Sequence, residues 1–88
     1  MVKWKVIYTK RAQEDSLKLK AAGLKEKTSV LLEILKINPF QTPPPYEKLV
    51  GDLKGYYSRR INVQHRLVYM VHKKLKVVEV VKMWTHYL

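Results

Sequence analysis

The sequence predicts an α+β domain, a helical hairpin packed on one face of a mostly antiparallel sheet of four to five strands. Three observations carry this expectation. Residues 24–37 hold apolar side chains at helical spacing. Gly23 stands between that segment and a second helical stretch, so the two helices should fold back on each other. From Glu47 onward the pattern changes to short runs rich in Val, Tyr and Ile, which read as strands. With 88 residues, the chain makes one domain, residues 1–88, and buries a small core. Any site must sit at the edge of that core.

Trp4 to Tyr8 alternates with lysines and forms a short strand. Thr9 is the expected N-cap of a helix that runs to about Ala22, and Gly23 ends it in a left-handed conformation. The second helix spans Leu24 to Ile37. Its stripe is Leu24, Thr28, Leu31 and Leu35, flanked by Val30, Ile34 and Ile37. Asn38-Pro39 stops it, because proline restricts the residue before it and donates no hydrogen bond. Residues 39–46, Pro-Phe-Gln-Thr-Pro-Pro-Pro-Tyr, form a stiff extended crossover. Tyr56–Asn62, His65–Val71 and Leu75–Trp84 then make an antiparallel meander. The last of these is apolar on both faces, with Val77, Val81 and Met83 against Val78, Val80 and Trp84. Two-sided burial places it inside the sheet.

Composition narrows the function. Eighteen Lys and Arg against seven Asp and Glu give a net charge of +11. A small domain this basic meets a polyanion. The absence of cysteine excludes a disulfide framework, a thiolate nucleophile and Cys-ligated zinc. Three glycines exclude a Walker loop or a dinucleotide fingerprint. Charges scattered through the first twenty residues leave no room for a signal peptide, and no apolar run is long enough to span a membrane. No His pair has a metal-ligand spacing. The expectation is a cytoplasmic protein without a metal or other cofactor.

The basic residues differ in kind along the chain. Arg59, Arg60 and Arg66 fall within eight positions on two adjacent strands, and the guanidinium fork grips phosphate at two points. Tyr56, Tyr57 and Tyr69 lie nearby, with rings suited to stacking on bases. The competing interpretation is a solvated, charged sheet face. If residues 62–64 form a three-residue loop, Arg60 stands opposite Arg66; a two-residue loop puts Arg59 on that face instead. Like charges set opposite each other are destabilising, and a bound anion would give them a purpose. Arg59, on the other face in the first case, should affect salt-dependent docking at most.

Glu47 and His86 are the remaining candidates, although a lone glutamate is usually a surface residue and a terminal histidine a frayed one. RNA carries its own nucleophile, the 2′-hydroxyl. A protein that cleaves it supplies a base for that proton, positive charge for the phosphorane and an acid for the leaving 5′-oxygen. Glu47, Arg60 or Arg66, and His86 have the chemistry for these roles.

Gly55-Tyr56-Tyr57-Ser58-Arg59-Arg60-Ile61, followed by His65-Arg66-Leu67-Val68-Tyr69, resembles the Txe/YoeB toxins of bacterial toxin–antitoxin modules, within the wider RelE-type superfamily. Asn38-Pro39-Phe40, Tyr46-Glu47-Lys48-Leu49, Asp52-Leu53 and His86-Tyr87 fit the same pattern in the same order. The resemblance covers nearly the whole chain. It implies a microbial RNase fold, ribosome-dependent cleavage of mRNA in the decoding site, and a cognate antitoxin. The antitoxin's acidic and apolar C-terminal segment would fold onto the basic surface. The oligomeric state stays open, a homodimer included. Carried over by position, Glu47 is the general base, His86 the general acid and Arg66 the phosphate stabiliser. Arg60 and Tyr87 position RNA or support the site. Some members carry a lysine three residues after the glutamate, where this chain has Val50. Lys48 or Lys54 would then supply that contact, or it is absent. Two other functions compete with cleavage: a noncatalytic nucleic-acid-binding module, and a toxin of the same fold that acts on DNA gyrase.

Overall fold

The computed structural model describes residues 3–84. Strand β1 (Lys5–Tyr8) leads into helices α1 (Lys10–Ala21) and α2 (Lys25–Ile37). A connector then reaches β2 (Glu47–Lys48), a short 3-10 turn at Gly51–Leu53, and the meander β3 (Tyr56–Arg60), β4 (Arg66–His72) and β5 (Val77–Lys82). The five strands form one sheet in the order β1-β5-β4-β3-β2. Only β1 and β5 run parallel. Both helices pack on one face, so the α+β architecture is the one expected, with β5 inside the sheet.

Local chemistry explains the helix ends. The Thr9 hydroxyl accepts the Ala12 N–H at 3.1 Å, satisfying one of the orphan donors of α1. The same hydroxyl donates to the Val81 carbonyl at 2.6 Å, which ties the start of α1 to β5. At the other end Gly23 takes φ 76°, which favours glycine. The Leu24 N–H bonds to the Leu19 carbonyl at 2.9 Å and the Gly23 N–H to that of Lys20 at 3.1 Å, closing a Schellman motif. In α2, Thr28, Leu31 and Leu35 are buried as the stripe requires, while Val30 and Ile37 stay exposed. The helix ends where the Asn38 side chain accepts the Phe40 N–H at 3.0 Å.

The core lies between helices and sheet. Ala12 and Leu19 of α1 and Leu31 and Leu35 of α2 meet Leu67 and Tyr69 of β4 and Val78 and Val80 of β5. Alternation fails near the end of β5. Tyr69 pairs with Val80 but Val68 with Lys82, so Val81 is an extra residue in the strand. This bulge shifts the alternation by one. Met83 therefore joins the core beside Val78 and Val80, rather than facing away from them with Val77 and Val81. β3 and β5 are shorter than the apolar runs suggested, β4 keeps seven residues but begins one later, and residues 62–64 and 73–76 form the turns.

Candidate active site on the open sheet face

The face of the sheet away from the helices carries the site. Arg60 stands opposite Arg66 in the β3–β4 register, and Ser58 opposite Val68. Glu47 of the edge strand β2 stands opposite Ser58. The register follows from the turn: the Ile61 N–H bonds to the His65 carbonyl at 2.8 Å, leaving Asn62, Val63 and Gln64 as a three-residue loop. The Asn62 side chain accepts the Gln64 N–H at 2.9 Å and the His65 N–H at 2.7 Å, holding that loop in shape.

Arg66 reaches across two strands. Its Nη1 donates to Glu47 Oε1 at 2.8 Å and to Ser58 Oγ at 2.9 Å. Ser58 is small enough to lie beneath the guanidinium and polar enough to fix it. The Arg66 side chain is 6% exposed and that of Glu47 55%. A buried cation thus faces a carboxylate that water, or a phosphate, can approach. The pair joins a charge suited to a phosphorane with an acceptor suited to a hydroxyl proton. Lys48 and Lys54, together with Tyr56, line one depression of about 390 Å³ at the β2–β3 junction.

Arg59 points to the other face, as expected, but it is no docking residue. It is 1% exposed. Its guanidinium donates to the carbonyls of Pro39 at 3.0 Å, Gln41 at 2.8 Å and Pro44 at 2.7 Å, and to the Tyr69 hydroxyl at 3.2 Å. The Tyr69 hydroxyl in turn donates to the Pro39 carbonyl at 2.9 Å. These bonds pin the connector against the sheet, and the connector delivers Glu47 to its edge. Tyr69 is fully buried, so it is not available to stack on a base. Burial pushes its phenol above the ordinary tyrosine range, and the adjacent Arg59 charge pulls the other way. Tyr57 packs on Phe40, Tyr46 and Tyr69.

Residues 8–87 match the family described as YoeB-like toxin of bacterial type II toxin-antitoxin system. This chain belongs to the YoeB-like toxin family. Toxin YoeB of Synechocystis sp. is 33% identical over 69 residues, covering 76% of this chain and 80% of that one. The solved YoeB/ParE toxin from Agrobacterium tumefaciens superposes with a TM-score of 0.84 at 34% identity, covering 94% of this chain and 99% of that one. A YoeB-YefM complex from Staphylococcus aureus matches at a TM-score of 0.77 and 31% identity, covering 96% and 98%.

For this YoeB-like chain the structure brings Glu47, Arg60 and Arg66 onto one face, whereas Lys48 pairs with Tyr57 on the other face and lines the β2–β3 depression with Lys54. His86 and Tyr87 lie outside the described residues. Two residues escaped the sequence reasoning. Ser58 was visible in the Ser-Arg-Arg block, since alternation places it on the face of Arg60. Asp15 was not. It is a buried carboxylate in α1 that accepts the N–H groups of Met83 at 3.0 Å and Trp84 at 3.2 Å. A solitary aspartate within a helix carries no pattern that distinguishes it from a surface residue. No described helix is long and apolar enough to cross a membrane.

Proposed function

We propose that this chain is a ribosome-dependent endoribonuclease toxin that cleaves mRNA in the decoding site, acts in the cytoplasm and is neutralised by a cognate antitoxin. The observation that carries the reading is the Arg66–Glu47 pair, a buried guanidinium on a solvent-accessible carboxylate. In the resting protein Glu47 neutralises Arg66. When a scissile phosphate arrives, its oxygens take the guanidinium and Glu47 is released to act as base. Glu47 takes the proton of the 2′-hydroxyl, and the 2′-oxygen forms a bond to phosphorus. The bond from phosphorus to the 5′-oxygen breaks, and His86 gives that oxygen a proton. The product is a 2′,3′-cyclic phosphate. Arg66 stabilises the charge that develops on the phosphate oxygens. Arg60, Tyr87, Lys48 and Lys54 hold the RNA on either side. The protein supplies base, charge and acid without a metal.

Two further observations support the reading. A net charge of +11 favours docking to the ribosome, a large polyanion. A related YoeB forms a complex with YefM, and an acidic, apolar antitoxin segment would complement this basic surface. The test is cleavage of mRNA on translating ribosomes. Wild-type protein should leave 2′,3′-cyclic phosphate ends. Glu47→Ala and His86→Ala should each slow single-turnover cleavage by on the order of 10²–10⁴ while ribosome binding persists. Intact mRNA on ribosomes that bind the wild-type protein would overturn the reading.

A further inference from the structure

Lysines gather at the end of the sheet remote from the Arg66–Glu47 pair. The β4–β5 turn, residues 73–76, carries Lys73, Lys74 and Lys76, and Lys3 and Lys5 lie beside it at the start of β1. The Lys5 N–H joins the two segments by donating to the Lys76 carbonyl at 3.0 Å. All five residues are exposed. Among the described residues no carboxylate pairs with any of them, since Glu33 is engaged by Lys36 and Glu79 by His72. Like charges so placed repel and cost the fold some stability. Lys76 adds to that cost, because it takes φ 56°, a conformation that glycine or asparagine adopts more readily. Arg66 opens the seven-residue strand β4 and His72 closes it, so the turn lies about 20 Å from the Arg66 end.

Two aromatic rings lie under this charge. Lys76 Nζ stands 4.9 Å from the centroid of the Trp4 ring, and Lys73 Nζ 5.5 Å from that of Phe40. Trp4 also packs on the core, and Phe40 on Tyr46 and Tyr57. Neither ring is left for a base to stack on. Single-stranded RNA is held by stacking as well as by charge, whereas double-helical RNA presents mainly phosphates and 2′-hydroxyls. Flexible ammonium groups meet phosphates as point charges, without the fixed fork that Arg66 offers. We propose that Lys3, Lys5, Lys73, Lys74 and Lys76 form a docking surface for the phosphate backbone of double-helical RNA in the ribosome. The proposal rests on the ribosome-dependent reading and puts docking and chemistry at opposite ends of one sheet.

The experiment measures ribosome affinity across a salt series for the triple variant Lys73→Gln, Lys74→Gln, Lys76→Asn, asparagine being suited to the backbone at 76. Each lost phosphate contact reduces the steepness of log affinity against log salt by about 0.9, so the slope should flatten by roughly 2–3. Affinity should fall by on the order of 10² at about 0.15 M salt. The single-turnover cleavage rate at saturating protein should match wild type. In a second arm an RNA duplex and a single strand of equal length replace the ribosome, and the variant should lose more affinity for the duplex. A control removes equal charge from the exposed helix positions Lys18, Lys25 and Lys27, each changed to Gln, and should flatten the ribosome slope by less than about 1. Equal flattening in the two triple variants would overturn the proposal, because net charge alone would then explain docking. An unchanged slope in the turn variant would do the same, as would a loss confined to the single strand. So would slower cleavage at saturation, which puts the turn on the message. If the turn variant has no cooperative melt, Lys74→Gln replaces it, at an exposed residue outside both ring contacts, with the slope expected to flatten by about 1. A wild-type protein that binds ribosomes and never cuts would overturn the cleavage reading and leave the docking surface to be decided by the slopes. A wild-type protein with no ribosome affinity would overturn both.

Discussion

Arg59 and Arg66 lie on paired strands, both buried, and differ in what they hold. Arg59 spends its donors on three main-chain carbonyls and a phenol, all neutral. Among the described residues no carboxylate balances it, so carbonyl dipoles solvate its charge within the fold. Arg66 Nη1 donates to the Glu47 carboxylate and the Ser58 hydroxyl. That carboxylate is half in water and can give way to another anion. The same residue type thus serves as a fastener on one face of the sheet and, in the proposed mechanism, as a phosphate receptor on the other. What separates them is whether the partner can leave. Carbonyls of a packed connector cannot, and the side chain of Glu47 can.

The largest expected effect breaks the fastener. Arg59→Ala leaves the carbonyls of Gln41 and Pro44 without their donor and that of Pro39 with the Tyr69 hydroxyl alone, at about 1–3 kcal/mol for each group that water does not reach. The sum is about 3–5 kcal/mol, against a total stability of about 5–15 kcal/mol for a typical domain. The melting temperature should fall by roughly 15–30 °C. Arg59→Lys should not rescue it, because a single ammonium cannot reach carbonyls spread around a planar fork. A melt within a few degrees of wild type would show that the connector does not depend on Arg59.

The receptor should respond in the opposite way. Arg66→Ala removes charge that acts in the transition state, so cleavage should slow by on the order of 10²–10³. Stability should fall less than in Arg59→Ala, by about 1–3 kcal/mol, because Glu47 returns to water and the main loss is the donor to buried Ser58. Single-turnover rates and thermal melts on both variants make the comparison sharp: fold lost in one, chemistry lost in the other. If Arg66→Ala melts as early as Arg59→Ala, the distinction between the two arginines fails.

These two arginines also show how far the sequence could be read. Alternation and a three-residue loop were enough to put Arg60 opposite Arg66 and Arg59 on the far face, because strand periodicity and turn length are local properties. Thr9, Gly23 and the Thr28–Leu35 stripe marked the helices for the same reason. Alternation does not say what covers a face. The groups that bury Arg59 are main-chain carbonyls, and those carry no sequence signal. Asp15 was hidden likewise, since its partners are backbone N–H groups 68 and 69 positions away. The bulge at Val81 moved Met83 into the core, because one extra residue in a strand exchanges its faces. Glu47 meets Arg66 through two strand pairings at once, a meeting that spacing alone did not reveal and that the family resemblance implied.

Tyr69 offers the finest test, because it belongs to the fastener and has no counterpart beside Arg66. Its hydroxyl donates to the Pro39 carbonyl and accepts from Arg59 Nε. Tyr69→Phe keeps the ring and removes both bonds, at about 1 kcal/mol. The pH dependence carries the sign. Burial raises the phenol's pKa in the folded state, so the folded protein keeps a proton that the unfolded chain gives up above about pH 10. The stability this group provides is intact below that pH and is lost as pH rises through the raised folded value. Tyr69→Phe has no such proton to lose. The gap in melting temperature between wild type and Tyr69→Phe should therefore be constant near neutral pH and narrow above about pH 10. Lysines titrate in the same range, but they do so in both proteins and cancel in the difference. A gap that stays constant into strong alkali would mean that the phenol is not held as a buried donor, and that the carbonyls of the connector are served by Arg59 alone.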